Sequence, residues 1–283
     1  MQSEEKLDPM TTTRHDYTWG VGAALIAIGI ILLLDQYLKT GWLVQLILPV
    51  SGFIFLSWGI VTRRFGLLIP GSLLAGLGGG EFLTLSRFFS FSTYTRVGLL
   101  LSAFALGWVL ITIFSLLLKE RMAWWPLIPA SVLFSVGICF LMPWQPLALV
   151  LYPLVGLGLV FLAWGVVERL IGLVIPGSLL LGIGPGVFFA WRAPSSGNGL
   201  TQTGLMLVCF ALGWGLITLF SRVIIARFIW WPLIPGGILA MTGVGLYIGG
   251  SPQHALSFIG NTTSVSLILF GLYLLLWRTG LRK

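Results

Sequence analysis

Ten apolar stretches follow one another along this sequence, at residues 18–35, 41–62, 65–85, 97–118, 123–142, 147–167, 170–190, 203–225, 228–250 and 264–278. Each is close to the roughly 20 residues that a helix needs to cross a bilayer. Some of the breaks between them are only two residues long, such as Arg63-Arg64 and Glu168-Arg169. Helices that are apolar all round for this length have no face to offer to water. Charged residues make up 8% of the chain and apolar ones 57%, whereas a soluble domain carries about 25% charge to cover its surface. The expected fold is all-α: a polytopic membrane protein of about ten transmembrane helices, paired into five tandem two-helix hairpins.

The basic residues set the orientation. Lys6, Arg14, Arg63, Arg64, Lys119, Arg121, Arg169, Arg222, Arg227, Arg278, Arg282 and Lys283 fall on the side of the N-terminus, and Lys39, Arg87, Arg96 and Arg192 on the other. That split of 12 against 4 accounts for all 16 Lys and Arg residues, and the positive-inside rule then places both termini in the cytoplasm. A net charge of +8 could serve nucleic acid, but that needs basic residues gathered on one wet surface. Here they stand in ones and twos between apolar runs, so no nucleic-acid partner is expected. Residues 1–16 are polar, lack the basic-then-apolar order of a signal peptide, and read as a cytosolic tail.

The sequence matches itself without a gap at a shift of 106 residues. Leu67-Leu68-Ile69-Pro70-Gly71-Ser72-Leu73-Leu74 recurs from Leu173 to Leu180 with Val174 in place of Leu68, FALGWVLITIFS from Phe104 recurs as FALGWGLITLFS from Phe210, and Trp124-Trp125-Pro126-Leu127-Ile128-Pro129 recurs from Trp230 to Pro235. Residues 17–122 and 123–228 are then two four-helix repeats, and 229–283 a terminal half repeat. Within each, an L-I-P-(G/A) signal at Pro70, Pro129, Pro176 and Pro235 marks every second helix. The elementary unit is a hairpin of about fifty residues. Because it crosses the bilayer twice, its copies insert in parallel sense, unlike the inverted repeats that surround a midplane transport site.

Candidate functional residues are few. Pro70-Gly71 and Pro176-Gly177 lie a turn or two into helices that start on the cytoplasmic side, where a missing backbone donor costs little. Small residues continue as G-x-x-x-G at Gly76/Gly80, Gly182/Gly186 and Gly245/Gly249. Such spacing lets neighbouring backbones approach closely; a kinked pathway helix is the competing reading. Glu81 is the best-placed ionisable residue within a span, but at about 24 Å along its helix it stands near the outer interface, and its equivalent is Val187. Trp19, Trp124-Trp125 and Trp230-Trp231 suit a headgroup-level aromatic belt. Trp58, Trp108, Trp164 and Trp214 are expected to pack between helices. His15 and His254 fall on opposite sides of the expected membrane. Cys139 and Cys209 read as small buried hydrophobes. No catalytic, cofactor-binding or metal-ligating set is expected, and the chain does not read as an enzyme.

The run WGVGAALIAIGIILLLDQYL at 19–38, and the W-W-P-L-I-P-x-x-x-L-x-x-x-G runs at 124–137 and 230–243, resemble the LiaI/LiaF-like bacterial transmembrane region family. In that family two-helix segments open on W-P-L-(I/L), carry spaced glycines and close on L-L-D/N. The resemblance is strongest for the first, second, fifth and ninth helices. It implies a multi-pass protein of the bacterial cytoplasmic membrane. Some members sense or restrain envelope-stress responses through contacts with a membrane histidine kinase, and those members also carry a soluble C-terminal domain. The expected partners are the lipid bilayer and another membrane protein. The function expected from sequence is an envelope scaffold or stress-response partner acting by helix and lipid contacts, with a transporter or channel for a neutral or lipidic substrate as the alternative.

Overall fold

Two arginines turn the chain. Arg63 and Arg169 sit in the left-handed region, with φ of 51° and 55°, where a side chain is normally disfavoured. Each caps a helix C-terminus: Arg64 N–H donates to the Gly59 carbonyl at 3.1 Å, and Leu170 N–H to the Gly165 carbonyl at 2.8 Å. This six-to-one bond closes a Schellman turn, so two helices reverse direction across a two-residue break. Gly59 and Gly165 make room for the returning helix. A Cβ on either would lie under 3.0 Å from the side chain of Leu68 or Val174 respectively.

The computed structural model describes residues 22, 26, 29–38, 42–85, 91–118, 122–143, 145–192, 199–225, 228–249, 253, 257, 260–264, 267, 268 and 271. Its helices are α1 (Gly29–Leu38), α2 (Trp42–Thr62), α3 (Phe65–Leu85), α4 (Thr93–Leu117), α5 (Leu127–Leu141), α6 (Ala148–Val167), α7 (Ile171–Arg192), α8 (Gly199–Ile225) and α9 (Leu233–Gly249). No strand occurs among the described residues. Six helices, α2, α3, α4, α6, α7 and α8, are long and apolar enough to cross a membrane, while α1, α5 and α9 are shorter. Much of the expected first and tenth spans, 18–35 and 264–278, lies outside the described residues.

The chain forms two compact units, Met1–Met122 and Ala123–Lys283. In the first, α3 packs between α2 and α4; in the second, α5 to α9 pack each against the next in order. Helix ends depart from the sequence expectation for local reasons. The fifth and ninth expected spans begin at 123 and 228, but α5 and α9 start several residues later because Trp-Trp-Pro forms a turn. Leu127 N–H reaches the Trp124 carbonyl at 3.0 Å and Leu233 N–H the Trp230 carbonyl at 3.0 Å. The fourth begins earlier than 97, at Thr93, because the Ser92 hydroxyl accepts the Thr95 N–H at 3.2 Å, as an N-cap does.

Among the described residues, the ten largest side chains buried to under 2% exposure are Leu68, Ser72, Ile111, Ser115, Pro126, Val174, Ser178, Ile217, Ser221 and Pro232. They fall into five pairs, each 106 residues apart. Large apolar side chains cover the outside, with Leu106 57% and Leu212 66% exposed, a surface suited to lipid.

Candidate functional site

In α3 and α7 the proline-glycine elements lie against the preceding helix. A Cβ on Gly71 would stand 2.8 Å from the Leu56 nitrogen of α2, and one on Gly177 2.8 Å from the Leu162 nitrogen of α6. Only glycine allows that approach. Pro70 and Pro176 are half-buried beside them, and each leaves one carbonyl a turn earlier without its helical donor. Ser72 and Ser178 follow, fully buried, with hydroxyls that meet no hydrogen-bond partner.

The opposite faces of the same two helices close on α4 and α8. A Cβ on Gly76 would lie 2.8 Å from the Gly107 Cα and the Ala103 carbonyl oxygen. One on Gly182 would lie 3.0 Å from the Gly213 Cα and 2.9 Å from the Cys209 carbonyl oxygen. A turn further on, Gly80 faces Ala103 and Gly186 faces Cys209. The pairs Gly76/Gly80 and Gly182/Gly186 thus sit at close helix crossings. In the first unit, Gly78 abuts Pro49 of α2.

Glu81 is half-buried near the far end of α3, about 15 Å along the helix from Gly71. The structure therefore brings each proline together with its glycine but does not bring Glu81 to them. Pro70-Gly71 belongs to one unit and Pro176-Gly177 to the other. Among the described residues no three His, Cys, Asp or Glu side chains gather as metal ligands; His15 and His254 lie outside the described residues.

Three features escaped the sequence. The first is a cluster at the start of α5. The Trp124 indole N–H donates to Glu168 Oε1 at 3.1 Å, and its ring stacks on Trp164 at 6.3 Å and 7° between planes. Trp214 similarly meets Trp231 edge-on at 5.9 Å. Trp58 differs from the expectation of burial between helices, being 57% exposed; its α2 position matches Trp164, but the residue matching Trp124 is Thr18, which has no ring to stack. The only signal for the cluster was that Glu168 is the sole carboxylate side chain in residues 123–283. A double-mutant cycle on Trp124→Phe and Glu168→Ala is expected to give a coupling of about 1 kcal/mol, less than the roughly 1.5–3 kcal/mol of a buried charged acceptor because Glu168 is exposed. Additive unfolding midpoints for the two variants would show that the bond contributes nothing.

The second feature is a groove of about 550 Å³ between α7 and α8, lined by Leu181, Pro185, Phe189, Leu212, Gly215 and Leu219 among others. Its walls are apolar apart from Cys209. Gly215 opens onto it, since a Cβ there would meet nothing within 4 Å. The third is a pocket of about 320 Å³ formed by Gln145, Pro146, Leu147, Phe188 and Arg192. It joins the start of α6 to the end of α7, which sequence spacing could not reveal.

Compared with known proteins, the chain matches no family model, and no curated protein and no solved structure is similar to it.

Proposed function

We propose that this chain is a non-enzymatic, multi-pass protein of the bacterial cytoplasmic membrane that acts as an envelope scaffold or stress-response partner through helix and lipid contacts. The backbone-level closure of α3 on α4 and of α7 on α8 carries this reading. Gly76/Gly107 and Gly182/Gly213 bring the paired helices into backbone contact, and such glycine-tight pairs present apolar outer faces to lipid or to another membrane helix. Ten spans in five tandem hairpins complete the architecture. Six helices already have the length and apolarity. Five buried pairs 106 residues apart support a duplicated packing plan. The W-W-P-L-I-P elements at 124 and 230 support a relation to the LiaI/LiaF-like transmembrane regions. Crosslinking with mass spectrometry in native membranes is expected to capture a second membrane protein, and self-contacts alone would overturn the partner role.

A transporter or channel for a neutral or lipidic substrate is the second reading, favoured by one observation, the apolar α7–α8 groove. Here Gly215→Leu, which fills the groove, is expected to abolish liposome flux or lipid scrambling, and absence of flux in the wild type removes this reading.

The positive-inside assignment has its own test. In a cysteine-free background, Arg169→Cys should be labelled by an impermeant thiol reagent only from the cytoplasmic side, and Gly199→Cys only from the other. Labelling of both from one side would break the alternation of spans.

A further inference from the structure

We infer that the pocket between the start of α6 and the end of α7 is a binding site for the phosphate of an anionic phospholipid, with Arg192 as its cation. The inference rests on the membrane reading above.

Arg192 ends α7, and its guanidinium lies over the Phe188 ring at 5.2 Å from the centroid. Phe188 is itself 7% exposed, so the cation is held against a fixed wall by a cation–π contact instead of swinging freely. Gln145 stands on the other wall and adds an amide donor; Pro146 and Leu147 complete an apolar side. A guanidinium fork and an amide together suit a phosphate diester, which offers two acceptor oxygens.

The charge balance points the same way. Residues 123–283 contain one carboxylate side chain, Glu168. It sits just before α7, which spans 22 residues to Arg192, so the two charges lie about 33 Å apart at opposite ends of that helix. Within its own unit Arg192 has no counter-charge near it, and an anion from outside supplies one. That helix length matches the roughly 30 Å hydrocarbon core, which puts Arg192 at headgroup depth while Phe188 and Leu147 reach acyl-chain depth. An arginine at a helix end often only snorkels to the interface. Here the exposed arginine lines a pocket of about 320 Å³ and lies over the face of a buried ring. In the 106-residue register Gln145 matches Lys39 and Arg192 matches Ser86, so the first copy also carries one cation in this pair of positions, on the other member.

The test uses the purified full chain in detergent, titrated with phosphatidylglycerol or phosphatidylcholine and read by native mass spectrometry. One phosphatidylglycerol per chain is expected to be retained about tenfold more tightly than phosphatidylcholine, the size of one charge-assisted contact. Arg192→Gln should remove that preference and Arg192→Lys restore part of it. Gln145→Leu, a change on the other wall that leaves the cation in place, should weaken it without an altered unfolding midpoint. Equal retention of the two lipids, or a preference unchanged in Arg192→Gln, overturns the site. Displacement of the lipid by a large excess of inorganic phosphate assigns the pocket to free phosphate and overturns the lipid assignment. Alkaline extraction of membranes separates these outcomes from failure of the membrane reading, since a chain released to the supernatant fails there first.

Discussion

Gly107→Leu and Gly213→Leu are each expected to abolish most of the folded, monodisperse protein. At both positions the obstacle is backbone, not a side chain that can rotate away. A Cβ on Gly107 would lie 2.7 Å from the Ser72 carbonyl oxygen, and one on Gly213 2.9 Å from that of Ser178. Accommodating even a methyl group means separating two helices along their length. Overpacking ordinarily costs about 1–3 kcal/mol; with leucine against rigid backbone, the expected loss is about 3 kcal/mol or more, a large share of a typical domain's stability. Gly79→Leu and Gly215→Leu are the controls, because a Cβ on either meets nothing within 4 Å. Both should keep the wild-type midpoint in mixed-micelle unfolding. Alanine there should hold or raise it, since glycine within a helix costs up to about 1 kcal/mol relative to alanine. Equal behaviour of all four leucine variants would show that the crossings do not hold the fold.

What could be read from the sequence follows from the solvent. In lipid every backbone polar group must be satisfied within its own segment, so a long apolar run becomes a helix and little else. That is why α2, α3, α6 and α7 lie close to the expected 41–62, 65–85, 147–167 and 170–190. The faces of those helices were not legible. Lipid and protein interior are equally apolar, so the pattern carries no amphipathic stripe to show which side is buried. Leu106 and Ile111 are chemically alike, yet one is 57% exposed and the other fully buried. Glycine was the exception, because a residue with no side chain marks a close approach; Gly76 and Gly182 both lie at crossings. The helix starts at Trp124-Trp125-Pro126 were hidden for a different reason: hydropathy continues through a turn that hydrogen bonding, not polarity, defines. The Arg192 pocket was hidden because its two walls meet only when the α6–α7 hairpin closes.

Ile111→Ala and Ile217→Ala should each destabilise the protein by about 2 kcal/mol, and by the same amount within experimental scatter. In water, shortening a core isoleucine loses a transfer term and a cavity term. In a bilayer the transfer term largely disappears, because the alternative environment is also hydrocarbon. The cavity term stays: removing three carbons leaves on the order of 80 Å³, which at about 24 cal/mol per Å³ comes to about 2 kcal/mol. Both side chains are fully buried, at 0% exposure, so neither void can be filled by lipid. Leu106→Ala and Leu212→Ala remove the same number of carbons from residues 57% and 66% exposed. Acyl chains refill that space, and a change under about 0.5 kcal/mol is expected, as for surface substitutions away from special features. The contrast between buried and outward positions tests whether packing, not hydrophobicity, stabilises this fold. The equality of Ile111 and Ile217 tests something further, that residues 106 apart occupy energetically equivalent places. Large costs at one position and none at the other, measured as mixed-micelle unfolding midpoints, would mean that the matched sequences have diverged into different packing.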